Sequence, residues 1–158
     1  MSKISQNQIE LIQKQWGDGI IKIGKNFLEK GNYKKEAEIL IADLYGFEEG
    51  TVLFKPTKAA DEQFRLTTES AVSYFVGGNP DYPEDRGFAI NPWGKVRFEN
   101  SGFILMEHYA VAMGNYFFTD YEGNETKVEY TFGYFISPNG TLKINLHHSS
   151  LPFGTNQN

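Results

Sequence analysis

A titratable imidazole and a hydroxyl, His148 and Ser150, stand two residues apart at the end of an alternating apolar strand. Side chains two apart on a strand share a face and lie about 6–7 Å apart, close enough to work together. An imidazole changes charge near neutral pH, so beside a hydroxyl it can accept or shuttle a proton while the hydroxyl donates or orients. Leu142, Ile144 and Leu146 alternate with Lys143, Asn145 and His147. Carrying that parity forward places His148 and Ser150 on the buried side. Two further hydroxyls are candidates: Thr57, which emerges just after Pro56, and Tyr74, whose phenol can donate to an oxyanion or orient water. Each has a plainer role open to it. Thr57 can cap the helix that follows, and Tyr74 can be a core aromatic with a satisfied hydroxyl. A bulge would flip every later side chain and make His147 and Ser149 the inward pair. A strand that frays after Leu146 would leave all four residues in water.

The elements that must position these groups follow from periodicity. Ile9, Ile12, Trp16, Ile20, Ile23 and Phe27 recur at helical spacing after Ser5-Gln6-Asn7 and stop at Gly31-Asn32, predicting a long amphipathic helix. Lys34 to Tyr45 predicts a second, and Thr51 to Phe54 a short strand stopped by Pro56. Lys58 to about Val76 predicts a third helix, through Ala60, Phe64, Thr67, Ala71 and Tyr74, closed by Gly77-Gly78. Residues 79–92 hold three prolines and predict a long surface loop, either a functional segment such as a lid or a plain connection. Strands are expected near Lys95–Glu99, Phe103–Glu107 and Val111–Tyr121. A hairpin then turns at Pro138-Asn139-Gly140, its first strand alternating Val128, Tyr130, Phe132, Tyr134 and Ile136 with Lys127, Glu129, Thr131 and Gly133. Three N-terminal helices wrapped by a curved antiparallel sheet make an α+β cone whose mouth can hold a small ligand. Residues 1–158 read as a single domain with its core over about 6–153 and a disordered tail at 154–158.

Composition narrows the chemistry. No cysteine is present, which removes disulfides, thiolate ligands and cysteine nucleophiles and fits a reducing compartment. Fifteen Lys and Arg against 20 Asp and Glu give a net charge of −5, which argues against nucleic acid or an anionic membrane as partner. No apolar run approaches a membrane span and the amino end lacks a signal core, so a soluble cytoplasmic chain is expected. The histidines are His108, His147 and His148. Adjacent strand residues face opposite ways and His108 falls in an expected turn, so neither a metal site nor a cofactor is expected. Aromatics make up 15% of the chain, concentrated beyond residue 70, more than helices on one face can cover. A homodimer through the open sheet face is expected.

The element order is similar to the cone-shaped domains of nuclear transport factor 2, scytalone dehydratase and steroid isomerase. Local segments are more specific. Phe54-Lys55-Pro56-Thr57-Lys58-Ala59-Ala60, Asp81-Tyr82-Pro83-Glu84-Asp85, Gly114-Asn115-Tyr116, Val128-Glu129-Tyr130-Thr131-Phe132-Gly133-Tyr134 and His147-His148-Ser149-Ser150-Leu151-Pro152 resemble the iota-class carbonic anhydrases. That family is related to the calcium/calmodulin-dependent kinase II association domain, and the resemblance runs from about Trp16 to Phe153. It implies a lyase that hydrates CO2 reversibly to bicarbonate without metal. It further implies a Thr, a Tyr and a His-x-Ser pair around a small apolar pocket, carried here onto Thr57, Tyr74, His148 and Ser150. The alternative is a non-catalytic ligand-binding or oligomerisation module of the association-domain type. Isomerase or dehydratase chemistry would instead want a carboxyl raised in pKa, for which Asp120, at a strand end, is the candidate.

Overall fold

Ser5 starts the first helix by a reciprocal cap. Its hydroxyl accepts from the Gln8 N–H at 3.2 Å while the Gln8 side chain accepts from the Ser5 N–H at 2.7 Å. Helix α1 (Gln6–Leu28) then buries Ile9, Ile12, Trp16, Ile20 and Ile23 along one face. Asn32 caps α2 (Tyr33–Leu44), which buries Ala37, Leu40, Ile41 and Leu44. In this computed structural model, which describes residues 2–154, a short strand β1 (Leu53–Lys55) follows, then α3 (Thr68–Val76) and strands β2 (Trp93–Leu105), β3 (Tyr109–Asp120), β4 (Glu125–Ile136) and β5 (Leu142–Ser150). Apart from Gly154, the expected tail lies outside the described residues.

The sheet order is β1-β5-β4-β3-β2. The four long strands are antiparallel, and β1 joins the edge in parallel with β5, pairing Phe54 with His147 and Lys55 with His148. The sheet is therefore mixed, and its β1 edge supplies part of the candidate site. The segments near Lys95–Glu99 and Phe103–Glu107 are one strand, because Ser101 is taken up as a bulge rather than a turn. The third helix is shorter than its spacing predicted. It starts at Thr68, where Thr67 forms a capping box with Ser70, and residues 58–67 form an irregular strap instead.

Trp16 is the centre of the core. Its indole lies 5.5 Å from the Tyr116 ring, 5.7 Å from His147, and about as close to Phe98, Phe118 and Phe132. The helix can sit that near the sheet because residue 17 is glycine, where a Cβ would press within 3.2 Å of Val96. Among the described residues, no helix is long and apolar enough to cross a membrane.

Candidate active site

Strand β5 carries one residue more than its partner. Gly133 pairs with Leu146 and Tyr134 with Ile144, which leaves Asn145 as a bulge. Every side chain beyond it changes face. His147 and Ser149 turn into the core, 2% and 1% exposed, while His148 is exposed on the other side. The expected burial of His148 and Ser150 is thereby corrected: both line a depression on the outer sheet face with Ser101, Asn115, Glu129 and Thr131. The physical reason lies across the strand, where Gly133 has no side chain. A Cβ there would strike the Tyr109 hydroxyl and come within 2.7 Å of the Leu146 Cβ. A glycine inside a strand is the sequence signal for such a bulge.

The inward pair belongs to a buried line of hydrogen bonds. Trp16 Nε1–H donates to the Tyr45 hydroxyl at 2.9 Å, and that hydroxyl meets His147 Nδ1 at 2.8 Å. On the other side of the ring, Nε2 lies 3.1 Å from the Tyr116 hydroxyl, which lies 2.5 Å from Ser149 Oγ. Ser149 Oγ is in turn 2.6 Å from Thr57 Oγ1. Helix α2 ends at Leu44, and Tyr45 bridges to Ile144, which aims its phenol at the histidine. The indole can only donate, so the phenol's own hydrogen goes to Nδ1; otherwise a buried O–H would lack an acceptor. A neutral His147 therefore carries its proton on Nε2 and donates to Tyr116, and the line of donors ends at Thr57.

Burial, with the adjacent His148 adding to it, holds the His147 imidazole well below its usual pKa. Phe132 and Phe54 stack on the ring at 4.0 and 4.7 Å between centroids. Tyr74 reaches the same cluster from α3. Its hydroxyl accepts from the Lys58 N–H at 3.2 Å, and hydrogen bonding from Thr57 also counters the burial that raises its pKa. Burial raises the Tyr116 phenol likewise. Thr57 thus caps no helix, and Thr57 and Tyr74 do come together, with His147 and Ser149 in place of His148 and Ser150. Tyr116 and Tyr45, which no sequence pattern singles out, join the cluster through their bonds to His147. Tyr116 shares the strand parity of Phe118, which makes its hydroxyl inward, but only packing shows that it meets a histidine.

The strap that follows Thr57 is held by buried charge. Arg65, fully buried by area, donates two bonds to Asp85 at 2.7 and 2.8 Å, one to the Ser70 carbonyl and one to that of Glu62. Glu84 accepts from the N–H groups of Ala60, Asp61 and Glu62, which lowers its pKa against the effect of burial. The long loop expected over residues 79–92 is therefore the clamp on this strap. Beside it, a cavity of about 350 Å³ runs along Tyr74, between Lys58, Arg86, Asn91 and Trp93. Asp120 accepts from the N–H groups of Glu122 and Asn124 in its own turn, which lowers its pKa, so it is no raised carboxyl in a pocket. Among the described residues, no three His, Cys, Asp or Glu side chains gather as metal ligands.

Comparison with known proteins adds to this geometry. Residues 7–151 match the family described as metal-independent carbonic anhydrase. A protein of that description from Nostoc sp. (strain PCC 7120) is 39% identical over 153 residues, covering 95% of this chain and 75% of that protein. A solved iota-carbonic anhydrase from a cyanobacterium, complexed with bicarbonate, superposes with a TM-score of 0.93 at 38% identity, covering 97% of this chain and 95% of that one. A calcium/calmodulin-dependent kinase II association domain from Xanthomonas campestris shares the fold alone. Its TM-score is 0.65 at 20% identity, over 98% of this chain and 97% of its own.

Proposed function

We propose a reaction for this chain from one premise: it belongs to the metal-independent carbonic anhydrase family. It hydrates CO2 reversibly to bicarbonate, with Thr57, Ser149, Tyr116, His147 and Tyr74 as the working groups. The observation that carries this reading is the unbroken line from a buried neutral imidazole to Thr57, the least buried member of the chain. The bicarbonate held by the cyanobacterial relative supports the same ligand here.

Zinc enzymes make hydroxide by lowering the pKa of bound water to about 7. A site of hydroxyls and imidazole must instead take the proton while the C–O bond forms. Thr57 and Ser149 orient the water by accepting from it. As the water oxygen attacks the carbon, one C=O bond opens to an oxyanion and the water proton becomes acidic. It passes through Thr57, Ser149 and Tyr116 to Nε2 of His147. For this direction the imidazole adopts its less stable neutral tautomer, with Nδ1–H donating to Tyr45 at a cost of about 1–3 kcal/mol for the phenol hydrogen that loses its acceptor, and each hydroxyl turns round. The imidazolium so formed is a strong acid because it is buried, and it returns its proton along the chain to solvent once bicarbonate leaves. Tyr74 donates to the developing oxyanion. The tyrosines, with pKa values raised by burial, act as neutral donors and relays rather than as phenolates.

The chain works as a homodimer joined through the outer face of the sheet. Ile104 and Met113 are 61% and 58% exposed there, with Val111, Phe117 and Leu146 half-buried beside them. Stopped-flow CO2 hydration on chelator-treated protein, with metal assayed on the same sample, tests the chemistry. Undiminished activity is expected. Loss on chelation with recovery on adding zinc or manganese would overturn the metal-free route, and an inactive protein under both conditions would favour the assembly module.

A further inference from the structure

Strand β1 ends at Lys55, and Pro56 behind it has no N–H with which to continue the ladder. The last paired residues are Lys55 and His148, so Thr57 and Ser149 face each other beyond the end of the paired edge. The Lys55 ammonium spans that gap. Nζ donates to the Ser149 carbonyl at 3.1 Å and to the Thr57 carbonyl at 3.5 Å. These are the residues whose hydroxyls lie 2.6 Å apart. Among the described residues, no carboxylate pairs with this ammonium, although partial burial lowers its pKa. A half-buried cation left without a counterion is a cost to folding, and its partners here are two carbonyls of the site.

We propose that Lys55 is a positioning residue for hydration: its ammonium ties the backbone of Thr57 to that of Ser149 and sets the spacing at which their hydroxyls hold the attacking water. The bond between the two hydroxyls cannot do this alone, because the water must compete for the same oxygens. The ammonium acts on the carbonyls, and so keeps its hold when the hydroxyls turn to substrate. This rests on the hydration reading above.

The test is CO2 hydration kinetics on Lys55→Met, Lys55→Arg, Thr57→Val and the double variant K55M/T57V. Lys55→Met is expected to lower kcat by about ten-fold or more with KM changed less than about two-fold, the mark of misplaced groups rather than lost binding. Lys55→Arg, still cationic and long enough to reach both carbonyls, restores most of the rate. The double variant is expected to be no more than about two-fold slower than Thr57→Val, because the lysine acts through the threonine. Wild-type activity retained in Lys55→Met overturns the role of the lysine alone. Losses that multiply in the double variant overturn its action through Thr57, and an inactive wild-type protein overturns the hydration reading and this proposal with it. If Lys55→Met fails to fold, Lys55→Gln, which is one bond shorter and uncharged and so does not span both carbonyls, carries the same comparisons.

Discussion

His147 is pinned on every side: a phenol on each ring nitrogen, aromatic rings on its faces, and the Trp16 indole at its edge. A group so fixed loses little freedom when it exchanges a proton, which is what a general base needs. His147→Ala and Ser149→Ala are each expected to lower the hydration rate by about 10²-fold in folded protein, within the range for removal of a positioned base. His148→Ala and Ser150→Ala, on the outer face, should leave it near wild type, and stopped-flow rates of the four variants decide between the pairs. The same histidine makes stability depend on pH. Its folded pKa lies well below the unfolded value of about 6.5, so below that pH the unfolded chain binds a proton that the folded chain refuses. Unfolding free energy therefore rises with pH in that window: the contribution is fully present above about pH 6.5 and is lost on acidification at up to about 1.4 kcal/mol per pH unit. Urea titrations between about pH 6.5 and 5 should show this slope, and His147→Gln should remove it.

At the scale of elements, two irregular features build the site from regular neighbours. The bulge at Asn145 rotates the end of β5 inward, and the strap of residues 58–67 lays Thr57 against it. Neither holds itself. The strap has few ladder bonds, and Arg65 replaces them by joining it to Asp85, Ser70 and, through Arg65 N–H, the carbonyl of Phe54 at 2.7 Å. Breaking a buried ion pair from one side costs about 3–5 kcal/mol, because the remaining charge is stranded. Asp85→Asn is expected at the lower end, about 3 kcal/mol, since Glu84 still lies 3.6 Å from the guanidinium and the amide keeps an acceptor. Urea denaturation measures it. A variant as stable as the parent would show that the clamp contributes nothing net.

At the scale of the whole molecule, one face of the sheet is covered by helices and the other is not. The inner face holds Trp16 and the aromatic strand residues; the outer face mixes Arg97, Glu99 and Glu129 with exposed Met113 and Ile104. Apolar side chains grouped on an otherwise polar sheet suit a two-fold interface, where each patch meets its own copy. Light scattering at micromolar concentration is expected to give twice the chain mass, and Met113→Lys to shift it toward one. A wild-type protein that is monodisperse at the mass of one chain would end the dimer proposal.

Residue order alone set out α1, α2, the long hairpin and the inward aromatic stripe, because periods of 3.6 and 2 are local properties of side-chain order. It also carried the family resemblance in short contiguous segments, and with it the types of residue on which the proposed chemistry rests. Which histidine faces the core is set by tertiary pairing. The parity of β5 turns on a single extra residue, accepted because Gly133 on the next strand leaves room for it, and that pairing is not written in β5. The strap departs from its helical pattern for a similar reason. Its spacing suited a helix, but burying Arg65 against Asp85, twenty residues on, and capping the N–H groups of Ala60 to Glu62 with Glu84 outweighed a weak local preference. The line from Trp16 to Thr57 joins α1, the end of α2, β3, β5 and the end of β1, groups that meet only once the helices close over the sheet.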